Sequence, residues 1–457
     1  MNYDCRSAIW RAVMDGKGNT QMRKDYQKIY EEKKGTVQDC LDLIQSGDVI
    51  YATNNYSEPR EVLSHLHEIG DRVENVKVWK GRVYDYPFMF DENLKGRIDM
   101  YTYFYGSRMY KESFPMGLVD FVPVDLAGYY AVAVASKPAN VILTIATPMD
   151  ENGMLYLGPN HISEAEAVQD AIDNHKTLIV EVNPNIHTMR GAQAIPIEAV
   201  TRLVEVDTPE YCLKPAEPTP VEQKIGQAVA DLVNNGDTIQ LGIGGIPNAV
   251  GKALADKRDL GIHTEMFTSS MMELIQAGAI TGAKKNIDRG LHVCTFAEGV
   301  KELYPFLQEN KNCVLRSSIE VANPFVIAQQ NNMVSINTCV EIDLTGQVCA
   351  ESIGPKEISG SGGAFAFALG AYHSKGGKGI LAFPSRSAKG ISKIKSILTP
   401  GAVVTTTRNY VNYIVTEYGV AKLKGASVRE RAQQLIAIAH PEDREKLTAA
   451  AKALMYF

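Results

Sequence analysis

The sequence predicts an α/β protein with largely parallel sheets, built as two related halves. Three observations lead there: β-rich runs alternate with helical stretches, a short string recurs, and a proline-rich segment lies between its two copies. The β-rich runs, bounded by Gly, Pro and Asn, include Thr177 to Val182, Asn332 to Leu344, Gly379 to Ser385 and Asn412 to Gly419. Helical stretches such as Val428 to Ala439 lie between or after them, which is the pattern of βα layers around parallel strands.

The recurring string is DLIQSGDVI at 42–50 and DLVNNGDTI at 231–239, a spacing of 189. Asp42/Asp231, Leu43/Leu232, Gly47/Gly236, Asp48/Asp237 and Ile50/Ile239 are identical, as expected for a helix end, a Gly-Asp turn and a strand start. Each copy is followed by a strand, a turn with proline (Pro59 and Pro247) and an apolar helical pattern (Val62, Leu63, Leu66; Val250, Ala253, Leu254). That matched continuation makes the string part of an internal repeat. KPAEPTP, Lys214 to Pro220, reads as the linker. With 457 residues, more than the roughly 250 to 300 one core serves, the expected division is an extension at 1–24 and domains at 25–215 and 216–457.

Composition narrows the function. The net charge of −6 is spread along the chain without a basic tail, which argues against nucleic acid. The first residues lack the apolar core of a secretory signal, and the longest apolar tract is broken by Lys137 and Pro138, so no membrane association is expected. Seven scattered cysteines without a C-x-x-C pair point to reduced thiols in a cytoplasm. No metal is expected, since His65-Leu-His67-Glu68 reads as a surface helix and no H-E-x-x-H occurs.

The segment LGIGGIPNAV, Leu241 to Val250, is a glycine turn, and Glu265 follows 21 residues after Gly244. A dinucleotide site would place an acid at about this distance, but its third glycine is replaced here by Pro247. What remains is a turn whose backbone N–H groups can meet an anion or carbonyl. On pattern alone the plainer readings hold: a tight strand-to-helix connection, and a solvated or capping carboxylate. Glu265 falls at a strand end on the carboxyl edge of a parallel sheet, where ligands bind, with His263 on the same face in a packing or orienting role, not a catalytic one.

LGIGGIPNAV followed by LGIHTEM, then KKNIDRG, INTCVEIDLTGQV, SGSGG, SKGGK and VTEYGVAKLKG, resembles the acetyl-CoA hydrolase/transferase family over about residues 25 to 450. Within it the sequence is most similar to 4-hydroxybutyrate CoA-transferases and butyryl-CoA:acetate CoA-transferases. The resemblance implies two Rossmann-like α/β domains of the NagB/RpiA-like CoA-transferase fold, with an active site between them and a glutamate nucleophile. The matching glutamate is Glu265. The CoA-contacting loop matches Gly242, Ile243, Gly244, Gly245 and Ile246, a second glycine contact matches Gly363, and weaker CoA-contacting positions match Val340 and Lys389. No permanently bound cofactor is implied; CoA and acyl-CoA enter as substrates, a short-chain carboxylate such as acetate is the second substrate, and a homodimer or higher homo-oligomer is expected.

A carboxylate suits this chemistry, because it attacks a thioester when held in line. Backbone N–H groups near Gly363 or Gly390 are candidate oxyanion donors, and Lys375, Lys378 and Lys389 are candidates for the CoA phosphates. Two departures stand out: this chain reads Gly363, Ala364, Phe365, Ala366, Phe367 where many relatives have G-G-Q-x-D-F after the second glycine, and Cys349 stands where relatives often carry asparagine. Two readings of these departures stand side by side: a more apolar or roomier acyl pocket, suited to a butyryl-sized or larger acyl group instead of a hydroxyacyl one, or compensation by neighbouring side chains. Cys349 itself reads as a small apolar residue. The rival functions are an acyl-CoA hydrolase, a non-catalytic CoA-binding protein and, weakened by Pro247, a nicotinamide oxidoreductase.

Overall fold

A computed structural model describes residues 20–81, 84–106, 108–213, 217–242 and 244–457. Ile243, residues 214–216 of the proline-rich segment and most of the 1–24 extension lie outside the described residues.

In the first half, seven strands form one parallel sheet: Val49–Ala52 (β1), Val76–Trp79 (β2), Ile98–Thr102 (β3), Val119–Phe121 (β4), Val141–Ala146 (β5), Thr177–Val182 (β6) and Arg202–Glu205 (β7). Their order across the sheet is β4-β3-β2-β1-β5-β6-β7. The second half builds Thr238–Leu241 (β8), Gly261–Phe267 (β9), His292–Ala297 (β10), Cys313–Leu315 (β11), Met333–Asn337 (β12), Lys378–Ala382 (β13), Tyr413–Thr416 (β14) and Gly419–Lys422 (β15). These lie in the order β11-β10-β9-β8-β12-β13-β14-β15, the same winding with one antiparallel edge strand added.

The repeat has a local physical cause. Gly47 and Gly236 both adopt positive φ, +83° and +81°, the left-handed geometry that glycine takes without strain. The aspartate after each accepts a backbone N–H three residues upstream, Asp48 from Gln45 at 2.7 Å and Asp237 from Asn234 at 2.8 Å. The turn then launches β1 or β8 into the middle of its sheet, where both faces are buried.

Two expected elements come out differently. Asn332 to Leu344 is not one strand, since β12 ends at Asn337 and Glu341–Asp343 joins a separate three-stranded sheet with Val348–Cys349 and Ile394–Lys395. Asn412 to Gly419 is the first arm and turn of the β14–β15 hairpin. The segment before the proline-rich stretch is pinned: the Asn183 amide and the Tyr304 hydroxyl donate to the carbonyls of Thr208 and Tyr211 at 2.8 and 2.6 Å, and Leu213 N–H donates to Gly299 O at 2.8 Å.

The halves meet through a shared apolar cluster, with Tyr103, Leu126, Tyr129 and Ile162 on one side and Met266, Phe296 and Phe367 on the other. No described helix is long and apolar enough to cross a membrane.

Candidate active site

Beside that cluster a cleft of about 450 Å³ opens between the two halves. This lies within the roughly 300 to 1,000 Å³ range of small-molecule sites. Its floor is set by the carboxyl ends of β8, β9 and β12, which deliver Gly242, Glu265 and Asn337 to one place.

Glu265 is the fifth residue of β9 and half-buried. Its Oε2 accepts the Gly363 N–H at 2.9 Å. Gly363 caps the helix Ala364–His373, so the carboxylate sits at a helix N-terminus, where partial positive charge favours it. Burial outweighs that support: loss of water pushes the Glu265 pKa up to about 7, against the Gly363 hydrogen bond that lowers it. A side chain at 363 is excluded by distance, since a Cβ there would lie 2.2 Å from Oε2 of Glu265.

His263 faces the same helix, its ring 6.2 Å from that of Phe367. It is buried, its Nε2 lies 2.9 Å from Val321 O, and burial with nearby Lys285 lowers its pKa to about 4. That is a packed, neutral imidazole, in keeping with a packing role.

The glycine turn runs from β8 into the helix Gly245–Ala253, with Gly244 as its N-cap at φ +114°. Gly242 and Pro247 line the cleft, whereas the side chain of Ile246 is buried in the core of the second half. Asn337 lines it too, exchanging two hydrogen bonds of 3.0 Å with Gln240. The Ser359–Gly363 loop closes one side and is fastened to the first half: Leu126 N–H donates to Gly362 O at 3.2 Å and Ser361 Oγ donates to Val124 O at 3.2 Å. Gly360 lies so close that a Cβ would approach Tyr103 O to 2.0 Å.

Other expected residues lie elsewhere. Val340 is in the connection after β12, its N–H bonded to Cys349 O at 2.8 Å, and Lys389 is exposed in the Ser387–Ile391 turn; neither belongs to the cleft lining. Gly390 is in the same turn and spends its N–H on Ser387 O. Lys378 Nζ donates to Leu232 O at 2.7 Å and pairs with Asp237 at 3.2 Å. It starts β13, and Lys375 precedes it, so both occupy the edge of the sheet opposite Glu265. His65 pairs with Glu61 and Glu68 along its helix.

Sequence reasoning missed the wall supplied by the first half, with Asn55, Tyr103, Phe104, Leu126 and Ile162. These come from separate connections after β1, β3, β4 and β5 and share no motif.

Known proteins place this geometry. The chain is 38% identical over 434 residues to a 4-hydroxybutyrate coenzyme A transferase of Clostridium kluyveri, covering 93% of this chain and 98% of that one. The chain belongs to the acetyl-CoA hydrolase/transferase family. The description of that family's C-terminal domain, "Acetyl-CoA hydrolase/transferase C-terminal domain", matches residues 299–451, which hold Gly363 but not Glu265. A succinyl-CoA:cyclohexane-1-carboxylate CoA transferase of Geobacter metallireducens is 37% identical, over 94% of this chain and 98% of that one. The crystal structure of RipA from Yersinia pestis superposes with a TM-score of 0.88 at 33% identity, covering 94% of this chain and all of that one.

Within this acetyl-CoA hydrolase/transferase chain, the departures after Gly363 act unevenly on the cleft. Ala364 lines it, but Ala366 and Phe367 are buried in the helix packing. Cys349 is fully buried with its Sγ 3.2 Å from Ser352 O, and its neighbour Ala350 is the residue that reaches the cleft. The expected loss of polar groups beside the acyl site therefore reduces to one position.

Proposed function

We propose that this family member is an acyl-CoA:carboxylate CoA-transferase in which Glu265 carries CoA as a thioester. The ionised carboxylate attacks the thioester carbonyl, forming a mixed anhydride and releasing CoA thiolate. The thiolate then attacks the glutamyl carbonyl and the first acid leaves. A second carboxylate reverses both steps, so one thioester is exchanged for another without ATP or metal.

One observation carries the proposal: a half-buried carboxylate at the carboxyl edge of a parallel sheet, raised to about 7, touched by one backbone donor and facing a cleft. Such a group is a better nucleophile than an ordinary surface carboxylate, yet its anionic form is still populated at neutral pH. The glycine turn at Gly242 fits the CoA side, with Gly244, Gly245 and Ile246 offering backbone and Val340 and Lys389 lying further out. The apolar wall from Tyr103 to Phe296 suits a short acyl chain such as butyryl or 4-hydroxybutyryl, with acetate as acceptor. The reading takes 25–215 and 216–457 as the two domains that enclose the cleft, in a cytoplasmic homo-oligomer.

Incubation with butyryl-CoA, borohydride reduction of the enzyme thioester and peptide mass spectrometry test this directly. The expected result is a modified peptide containing Glu265. Release of CoA that is independent of acetate, with no acetyl-CoA formed, would instead make the protein a hydrolase.

A further inference from the structure

The two halves do not offer the cleft the same group. Displaced by the 189-residue repeat, Asn55 falls on Gly244. Each follows the first strand of its sheet in a positive-φ conformation, +53° for Asn55 and +114° for Gly244. Asparagine tolerates the left-handed region better than other side chains do. The turn in the second half gives the cleft backbone; its counterpart in the first half gives it an amide.

The backbone beneath that amide is held firmly. Asn54 N–H and Nδ2 donate to Oε1 of Glu164 at 3.1 and 3.2 Å, and Asn54 Oδ1 accepts the Gly81 N–H at 2.6 Å. Glu58 N–H closes the turn on Asn55 O at 3.2 Å. Asn54 and Glu164 are 1% and 0% exposed, so these bonds are shielded from water. The side-chain amide of Asn55, by contrast, makes no hydrogen bond to another described residue, and it lines the cleft with Glu265.

We infer that Asn55 holds the carboxylate of the free acid, its amide N–H donating to one oxygen while the other faces Glu265. The inference rests on the CoA-transferase reading. The acid has to attack the glutamyl thioester as a carboxylate. A cation in contact with it would lower its nucleophilicity, whereas a neutral donor on a rigid turn orients it without doing so. Because the CoA moiety docks on the other turn, Asn55 affects the acid and leaves CoA binding alone.

Asn55→Gly and Asn55→Asp test the assignment. Glycine keeps the backbone conformation and removes the donor; aspartate keeps the shape and adds a like charge. Steady-state kinetics with acetate or butyrate as acceptor should show kcat/KM for the acid falling about 10-fold or more in the glycine variant, the loss expected for a hydrogen bond to a charged group, and further in the aspartate variant. Affinity for free CoA by calorimetry should stay within about twofold, and the glycine variant should melt with the parent. A glycine variant that keeps kcat/KM for the acid within twofold overturns the assignment whatever the aspartate variant does. So does an equal loss for acid and CoA. The CoA adduct of the parent is measured in the same series: its absence overturns the transferase reading, whereas its presence with acid kinetics unmoved overturns only the role of Asn55.

Discussion

Glu265→Gln separates the chemistry of the carboxylate from its cost to the fold. Glutamine preserves the shape and can still accept the Gly363 N–H now 2.9 Å from Oε2. The parent carboxyl is raised from 4.5 to about 7 in the folded protein, chiefly by burial. At about 1.36 kcal/mol per pKa unit this gap corresponds to a ceiling of roughly 3 kcal/mol. Residual contact with water reduces the effect, so about 1 to 3 kcal/mol is expected. The sign follows from which state ionises first. The unfolded chain loses this proton near 4.5 and the folded one near 7, so the parent loses stability as pH rises through that window and no more above it. The glutamine variant lacks this loss. Its melting temperature should equal the parent's near pH 4, below both pKa values, and exceed it by pH 8, while acyl exchange falls by at least about 10³-fold. A melting difference identical at both pH values would refute the assigned burial cost, and exchange retained at the parental rate would refute the nucleophile.

Other outcomes follow from the same contacts. The single-turnover release of acid from butyryl-CoA should rise with pH and level off above about 7, because only ionised Glu265 attacks; a flat profile from pH 5 to 8 would contradict this. Gly363→Ala puts a Cβ 2.2 Å from the Glu265 carboxylate, and the displaced nucleophile should lower kcat by about 10²-fold with CoA affinity preserved, as compared by turnover and calorimetry. Lys378→Met should lower the melting temperature and leave KM for acyl-CoA unchanged, since its ammonium serves Leu232 O and Asp237; a raised KM would return it to the CoA phosphates.

What the sequence revealed tracks how local each signal is. The repeat was legible because Gly47/Gly236 and Asp48/Asp237 build their turn within a few residues, whatever surrounds them. Glu265 and Gly363 each sit in a short motif, yet their hydrogen bond spans 98 residues and needed the structure. A charge pattern does not say which edge of a parallel sheet it reaches, and Lys378 is held at the edge opposite Glu265. Cys349 is the small buried residue its sequence suggested, and its neighbour Ala350 is the one that meets the cleft. Leu126 and Ile162 had no local signal at all: each is an ordinary apolar residue in a connection, and only the packing of the two halves makes them a wall.

The strand registers also explain why the first half has no counterpart of Glu265. Val49 pairs with Lys77 as Thr238 pairs with Gly261, so Glu265 of β9 corresponds to Gly81, just past β2. At Gly81 there is no room for a carboxylate: a Cβ would lie 2.9 Å from Asn54 Oδ1 and 3.3 Å from the Tyr103 ring. The Gly81 N–H is consumed by that same Asn54 oxygen. The first half has therefore filled the position with the turn that presents Asn55, while the second leaves it open and supplies the Gly363 donor from a distant helix. A carboxylate at 81 would join Glu265 and Glu298 in lining the cleft and raise the Glu265 pKa further. Divergence of the two turns, glycine backbone in one and a braced asparagine in the other, fits the proposed exchange, in which CoA and a free acid meet Glu265 in turn.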